Sequence, residues 1–203
     1  MRLILIRHCE TDTNAAMRYG GQANVPLNGR GRAQAQAIGA RLARAGAAAL
    51  YTSDLARALQ TAEIVGATLG LPPQPLPELR EIDIGQWEGL TPEELYRRFP
   101  DQMQAFERDP ARPVRSGGES YAQLQQRALA AVEAIRAAQP GEATVLTVAH
   151  GGVIRALLCH AIGLSLANFG RIWLDHGALT ELHYGAHGWR LIRLNDAAHL
   201  ETT

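Results

Sequence analysis

Polar and charged side chains follow four predicted strands, at the positions where each strand ends. In chain order these groups are Arg7-His8-Cys9-Glu10-Thr11, Thr52-Ser53-Asp54 with Arg57 one helical turn later, Arg80-Glu81, and His150-Gly151-Gly152. Ligands of open parallel sheets bind beyond the carboxyl ends of the strands, so these groups should meet at one edge. Each residue alone has an ordinary structural interpretation, but together they indicate a binding or catalytic site.

The chemistry that this combination supports is phosphoryl transfer through a histidine. A neutral imidazole nitrogen can attack phosphorus, and guanidinium groups stabilise the negative charge on the phosphoryl oxygens. The glycines after His150 offer backbone N–H groups at a predicted helix N-terminus, where anions bind. A nearby carboxylic acid can protonate the departing oxygen and then accept a proton from water.

The composition of the chain restricts the chemistry further. Its 203 residues contain 20 basic residues against 20 acidic ones, and every basic residue is an arginine. Without lysine there is no lysine Schiff base, no lysine-bearing phosphate loop and no lysine nucleophile. An anion would instead meet guanidinium groups, which match phosphate or carboxylate with paired hydrogen bonds.

The same composition argues against several protein classes. A net charge of zero gives no support for nucleic-acid or membrane-surface binding, which usually comes with a basic excess. No apolar run approaches the roughly 20 residues of a membrane span, and the amino-terminal residues have the pattern of a strand. Two cysteines, Cys9 and Cys159, cannot build a disulfide scaffold. We therefore expect a soluble, cytoplasmic protein, and a homodimer is compatible with the sequence.

Strand and helix patterns alternate along the chain. Strands are predicted at 3–6, 48–51, 145–148, near 179–184 and near 189–194, with an edge strand or extended loop at 76–79. Helices are predicted at 31–45, 55–69, 120–138 and 153–162. This alternation predicts an α/β fold, a three-layer α/β/α sandwich with a mostly parallel central sheet. We predict one domain over residues 1–203, with 91–118 as a lid-like insertion.

The amino-terminal motif resembles the signature of the histidine phosphatase superfamily, which includes the cofactor-dependent phosphoglycerate mutases. The motif is Leu5-Ile6-Arg7-His8-Cys9-Glu10-Thr11, with Asn14 three residues later. Further matching motifs follow in the family's order: Pro26-Leu27-Asn28 with Gly31, Thr52-Ser53-Asp54-Leu55 with Arg57, Glu81-Ile82-Asp83-Ile84-Gly85, Gly117-Gly118-Glu119-Ser120 and Ala149-His150-Gly151-Gly152-Val153. The resemblance covers residues 1–163 and implies a phosphoglycerate mutase-like fold.

The resemblance also implies a role for each matching residue. His8 would be the nucleophile that becomes phosphohistidine, and Glu81 would be the proton donor. The phosphate would be bound by Arg7, Arg57 and His150, with Asn14 and Gly151 as further contacts. The family needs no metal and no other cofactor, so none is expected here.

Cys9 and the remaining histidines receive no catalytic role. Cys9 stands where the family usually has glycine, and we expect it to pack, with an oxidation-prone thiolate as the alternative. A cysteine phosphatase would need an arginine six residues after the cysteine, but Ala15 stands there. A haloacid-dehalogenase-type phosphatase would need an Asp-x-Asp motif, and the sequence contains none. Both classes are therefore set aside. The unassigned histidines are His160, His176, His183, His187 and His199.

The expected reaction is hydrolysis of a small-molecule phosphomonoester by a histidine-type phosphatase, with phosphoglycerate mutase as the alternative. Glu81 and His150 are only 69 residues apart. The mutases that this chain resembles are longer in this region and must exclude water. A binding module that has lost catalysis is a third class, but all the matching catalytic residues are present here.

The identity of the substrate is left open by the sequence. The 91–118 segment carries Arg97, Arg98, Arg108, Arg112 and Arg115. Either these arginines are solvated surface residues, or one of them binds a second anionic group of the substrate, such as the carboxylate of phosphoserine or a phosphoglycerate. Sugar phosphates and nucleotide-type substrates are equally compatible with the sequence.

Overall fold

One six-stranded sheet forms the centre of the molecule. The computed structural model describes residues 1–112, 117–139 and 141–200. The strands are β1 (Arg2–Arg7), β2 (Ala47–Thr52), β3 (Pro73–Pro75), β4 (Thr144–Ala149), β5 (Leu179–Gly185) and β6 (Gly188–Asp196). Their order across the sheet is β3-β2-β4-β1-β5-β6, with the first four strands parallel and β5 and β6 each antiparallel to its neighbour. The predicted mostly parallel sheet is confirmed.

Helices cover both faces of the sheet. They are α1 (Asp12–Ala15), α2 (Gly29–Leu42), α3 (Ala56–Leu69), α4 (Pro92–Arg98), α5 (Pro100–Arg108), α6 (Tyr121–Ala138) and α7 (Gly151–Ala161). Alternate residues of β1 enter different cores: Ile4 and Ile6 pack with α2 and α3, whereas Leu3 and Leu5 pack with α6 and α7. The sequence of a strand that is buried on both faces is a continuous apolar run, and residues 3–6 of β1 have this pattern. The predicted α/β/α layering is therefore present.

Local sequence signals set several helix ends. The Ser120 hydroxyl accepts a hydrogen bond from the Gln123 backbone, and Gln123 reaches back to the Ser120 backbone, so a capping box begins α6. Thr91 and Glu94 form the same arrangement at α4. Gly70 ends α3 in the left-handed conformation with φ of 69°, which costs glycine little.

The predicted edge element at 76–79 is wrong in position. The edge strand is Pro73–Pro75, and Pro77–Leu79 form a 3₁₀ turn. Proline lacks a backbone donor, so Pro73 and Pro75 are tolerated only because β3 pairs on one side, with β2. Pro77 then suits the first position of the turn. In the described part of the chain, no helix is both long and apolar enough to span a bilayer.

The pairing register brings the functional strand ends together. Arg7 of β1 lies opposite Ala149 of β4, so the residues that follow, His8 and His150, emerge side by side. The backbone N–H of His8 donates to the carbonyl of Ala149 at 2.8 Å and continues the ladder by one residue. On the other side of β4, the Ser53 N–H donates to the carbonyl of Val148 at 3.0 Å.

Candidate active site

A cavity of about 420 Å³ opens at the carboxyl edge of the parallel strands. Six of the residues selected from the sequence line it: Arg7, His8, Asn14, Arg57, Glu81 and Gly151. The seventh, His150, is fully buried behind the cavity wall, with its ring centroid 5.1 Å from that of His8. The structure therefore brings all seven residues to one place.

The tautomer of His8 is set by its own loop. Its Nδ1 atom lies 2.8 Å from the carbonyl oxygen of Cys9, which can only accept a hydrogen bond. Nδ1 therefore carries the proton in the neutral ring, and Nε2 keeps a free lone pair. Burial, followed by the neighbouring His150 and Arg57, lowers the pKa of His8 well below its ordinary value. The geometry and electrostatics favour a neutral, nucleophilic Nε2.

His150 carries a buried nitrogen without a partner. Its Nε2 lies 2.9 Å from the Ser53 hydroxyl, whereas its Nδ1 has no hydrogen-bond partner in the described part of the chain. Burial, followed by the charge of Arg57, lowers the pKa of His150 well below its ordinary value. A buried polar atom without a partner is costly, so Nδ1 marks a position where a bound ligand would complete the site.

Two guanidinium groups give the cavity positive charge, that of the buried Arg57 and that of the partly buried Arg7. Arg57 is 4% exposed and donates to the carbonyl oxygens of Ala23 and Gly21 at 2.8 and 2.7 Å. Arg7 donates to the carbonyl oxygen of Leu174, and its buried Nε–H has no partner among the described residues. Burial, followed by the charge of Arg155, lowers the pKa of Arg7 to about 10, so Arg7 stays charged at neutral pH. Buried cations that are bonded to neutral groups favour an anionic ligand.

The carboxylate of Glu81 is held by two backbone donors. Its Oε1 accepts from the N–H of Ile82 at 2.9 Å, and its Oε2 accepts from the N–H of Gly152 at 3.1 Å. A Cβ atom on residue 152 would lie 2.4 Å from Oε1 of Glu81, so only glycine permits this approach. The beginning of α7 therefore fixes the carboxylate beside the cavity.

Asn14 and Cys9 have clear local environments. The Asn14 side-chain oxygen accepts from the Thr11 hydroxyl at 2.9 Å, which leaves its NH₂ group to donate. Cys9 is fully buried, and burial raises the pKa of its thiol to about 12. A thiolate at Cys9 is therefore disfavoured, and the packing interpretation is supported over the oxidation site.

His176 is a cavity residue to which the sequence assigned no role. Its ring centroid lies 5.4 Å from that of His8, and its Nε2 lies 2.7 Å from Nη2 of Arg7. No sequence signal identifies it, because its place in the cavity depends on the direction of β5. Because β5 runs antiparallel to β1, its amino end, three residues after His176, lies at the same edge as the carboxyl ends of the parallel strands.

The described arginines of the 91–118 segment, Arg97, Arg98, Arg108 and Arg112, are not among the residues that line the cavity. Arg108 is exposed and outside the cavity lining, and Arg112 pairs with Asp109 with 81% of its side chain exposed. Arg115 lies outside the described residues. The cavity is instead lined by Arg18 and Arg155.

Nowhere in residues 1–112, 117–139 and 141–200 do three or more His, Cys, Asp or Glu side chains form a group able to hold a metal ion. His183 and His187 are four residues apart, as in some helical metal sites. They lie on β5 and in the turn after it, and His183 bonds to Glu181.

Comparison with known proteins places the chain in a family. The profile of the histidine phosphatase superfamily (branch 1) matches residues 3–197. The chain is 35% identical to a metal-independent phosphoserine phosphatase of Arabidopsis thaliana, over 98% of this chain and 83% of that one. It is 33% identical to a probable phosphoglycerate mutase of Yersinia enterocolitica, over 99% and 95% of the two chains.

A solved structure gives the same answer. A mycobacterial glucosyl-3-phosphoglycerate phosphatase in complex with VO3 superposes with a TM-score of 0.89 at 31% identity. The match covers 97% of this chain and 99% of that one. The motif resemblance and the phosphoglycerate mutase-like fold are thereby confirmed. The chain belongs to the histidine phosphatase superfamily.

Proposed function

We propose that this chain is a metal-independent phosphomonoester hydrolase that acts through a phosphohistidine intermediate on a small phosphorylated metabolite. The observation that carries the proposal is the bond from Nδ1 of His8 to the Cys9 carbonyl. This bond leaves Nε2 of His8 as the lone-pair nitrogen, in a cavity that the guanidinium groups of Arg7 and Arg57 line. The phosphatase names of relatives support the general activity.

The phosphoryl group would be held by donors that surround His8. In this proposal the donors are the Nε–H of Arg7, the guanidinium of Arg57, the Asn14 amide and the N–H of Gly151. His150 would add its Nδ1–H, since a Ser53 hydroxyl that donates to Nε2 leaves the imidazole proton on Nδ1. Fixed donors of this kind stabilise the charge that develops on the phosphoryl oxygens.

The reaction then takes two displacements. In the first, Nε2 of His8 forms a bond to phosphorus as the ester oxygen–phosphorus bond breaks, and the carboxyl group of Glu81, which enters this step protonated, gives its proton to the leaving oxygen. In the second, water attacks phosphorus, Glu81 takes a proton from that water, and the nitrogen–phosphorus bond breaks. Inorganic phosphate and the free alcohol are the products, and the enzyme returns to its starting state.

Water is the proposed acceptor because the cavity is open to solvent. Met17 and Trp173 both line it and are 77% and 71% exposed. A mutase must instead protect its phosphohistidine from water. Phosphoglycerate mutase is the alternative function, favoured by the relative of that name.

The substrate class is drawn from relatives and from the cavity wall. Phosphoserine and glucosyl-3-phosphoglycerate are the substrates that two relatives' names give, and both carry a carboxylate. Arg155 lines the cavity on α7 and could meet such a group. Phe106, from the 91–118 segment, also lines the cavity, which supports our expectation that this segment acts as a lid-like insertion. A cytoplasmic location and a homodimer stay predictions.

The testing experiment is a phosphate-release screen in EDTA. The panel is p-nitrophenyl phosphate, phosphoserine, 3-phosphoglycerate, sugar phosphates and nucleotides, with 2-phosphoglycerate formation followed in parallel. Release of phosphate that EDTA leaves unchanged supports the proposal. Interconversion of phosphoglycerates without net phosphate release would establish the mutase instead, and a silent protein that still binds phosphate would be a binding module.

A further inference from the structure

The loop before β5 holds Arg7 through both backbone and side chain. Nη1 of Arg7 donates to the carbonyl of Leu174, and Nη2 lies 2.7 Å from Nε2 of His176. The backbone N–H of Gly177 donates to the carbonyl of Arg7 at 3.0 Å, and the backbone N–H of Arg7 donates to the carbonyl of Ala178 at 3.2 Å. The orientation of the Arg7 guanidinium therefore depends on this loop.

The contact between Arg7 and His176 fixes the protonation of the imidazole. A guanidinium has donors only, so Nε2 of His176 must accept the hydrogen bond. The ring is then neutral, with its proton on Nδ1. Burial, followed by the charge of Arg7, lowers the pKa of His176 to about 3, in agreement with a neutral acceptor at physiological pH.

The two bonds on the loop side determine which part of the guanidinium faces the site. They occupy Nη1 and Nη2, whereas the buried Nε–H has no partner in the part of the chain that is described. This Nε lies against the beginning of α7, where a Cβ on Gly151 would be 3.4 Å away. Without its bond to His176, the guanidinium would keep only the bond to the Leu174 carbonyl, and the direction of the Nε–H would be less firmly fixed.

The loop that carries His176 is itself anchored. The backbone N–H of Asp175 donates to the side-chain oxygen of Asn195 at 2.7 Å, and the Asn195 amide donates back to the Asp175 carboxylate at 2.8 Å. Trp173 donates its indole N–H to the same carboxylate at 2.9 Å. The residue next to His176 is therefore held on two sides, which suits a group that must orient another.

We propose that His176 is a positioning residue of the phosphate site. It accepts a hydrogen bond from Nη2 of Arg7 and so directs the free Nε–H of Arg7 toward a phosphoryl oxygen beside His8. This inference rests on the proposed function for the identity of the ligand, and it assigns His176 no proton transfer. Its effect passes through Arg7.

Two substitutions separate the acceptor atom from the volume of the ring. His176→Phe keeps the ring and removes the acceptor, whereas His176→Gln restores an acceptor oxygen at nearly the same reach. Inorganic phosphate binding, measured by calorimetry, should weaken about 10- to 150-fold in His176→Phe, the range for one hydrogen bond to a charged group. The phosphate affinity of His176→Gln should stay within about 3-fold of the parent's. The kcat/KM for p-nitrophenyl phosphate should likewise be near the parent's in His176→Gln and lower in His176→Phe.

His199 provides the matched control, since it holds the same loop from another side. Its Nε2 lies 3.1 Å from the carbonyl of Gly177, and it is not among the residues that line the cavity. His199→Phe should lower the melting temperature about as much as His176→Phe does, with phosphate binding retained. Equal weakening of phosphate binding in both Phe variants would overturn the proposal, because His176 would then merely stabilise the loop.

Two other results separate this inference from the proposed function. Failure of His176→Gln to restore binding would overturn the positioning role even if the parent protein hydrolyses phosphomonoesters. Suppose instead that phosphate affinity is retained in the parent and in His176→Gln and falls in His176→Phe, but that the parent releases no phosphate from any ester. This result would contradict the proposed function and leave the role of His176 supported.

Discussion

The imidazole rings of His8 and His150 lie 5.1 Å apart, centroid to centroid, with a tilt of 56° between their planes. Their neighbouring residues, Arg7 and Ala149, are direct partners in the β1–β4 ladder, so the sheet itself sets this spacing. Both rings are buried against arginines that disfavour a further positive charge, which keeps them neutral. Two neutral imidazoles, the proposed nucleophile and the proposed hydrogen-bond donor, are thus placed side by side.

His8→Ala should abolish turnover of p-nitrophenyl phosphate, with a loss on the order of a thousandfold or more, because the covalent route disappears. Acid quenching of the parent protein during turnover should trap acid-labile phosphate on His8, measured by mass spectrometry. His160→Ala, at an exposed position of α7, is the control and should keep full activity. Phosphate found on any other residue would contradict the assignment of His8 as the nucleophile.

Glu81→Gln should slow poor leaving groups far more than good ones. An alkoxide needs a proton from Glu81, a contribution of about 10²–10⁴-fold, whereas nitrophenolate departs unaided. The measurement is the ratio of kcat/KM for an alkyl phosphate to that for p-nitrophenyl phosphate. If both substrates lose equally, another group is the acid, and Asp83 or Glu10 would be examined next.

Gly152→Ala should reproduce the leaving-group pattern of Glu81→Gln. Its new Cβ would lie 2.4 Å from Oε1 of Glu81, so the carboxylate must move out of position. We expect a loss of about 100-fold or more for an alkyl phosphate, near the lower end of what a general acid supplies. Gly170→Ala is the matched control, because a Cβ there meets no atom within 4 Å. An unchanged alkyl-phosphate rate in Gly152→Ala would contradict the role given to this glycine.

The free energy of unfolding should fall as the pH drops below about 6.5. His8, His150 and His176 have lowered pKa values in the folded state, so the unfolded chain takes up protons that the folded chain refuses. Their stabilising contribution is therefore present above the unfolded pKa of about 6.5 and is lost progressively below it, by about 1.4 kcal/mol per pH unit for each group. Urea denaturation between pH 7.5 and pH 5 measures this slope.

A single variant tests that explanation of the pH dependence. His176→Gln should reduce the slope by about 1.4 kcal/mol per pH unit, since the pKa of His176 lies near 3 in the folded protein. Carboxylates with lowered pKa values, such as Glu181 at about 2, respond only at lower pH and do not contribute in this window. A slope that His176→Gln does not change would contradict the assignment.

Arg155 should determine any preference for a carboxylated substrate. Its Nε donates to the carbonyl of Ile172 at 2.8 Å, which fixes the guanidinium at the cavity wall. If 3-phosphoglycerate outperforms glycerol 3-phosphate, Arg155→Ala should reduce the ratio of their kcat/KM values about 10- to 150-fold, the range for one charge-assisted contact. Arg108→Ala should leave the ratio unchanged, and a loss there instead would return the role to the 91–118 segment.

The elements and the core of the site followed from the sequence because their signals are local. Capping at Ser120 and the glycine stop at Gly70 depend on hydrogen bonds and torsion angles within a few residues. The apolar run of β1 directly predicts a strand buried on both faces. Parallel strands then require that the residues after them, including His8 and His150, meet at one edge.

The rest of the site was decided by tertiary structure. Arg7 and His176 are 169 positions apart, and they meet only because β5 runs antiparallel beside β1. Apolar periodicity gives a strand's existence but not its direction, so this contact had no sequence signal. The lowered pKa values of the buried histidines and the raised pKa of Cys9 likewise arise from burial, which is a property of the packed chain. Sequence therefore determined which residues could do the chemistry, and packing decided which other residues contact them and in which protonation state the buried histidines are held.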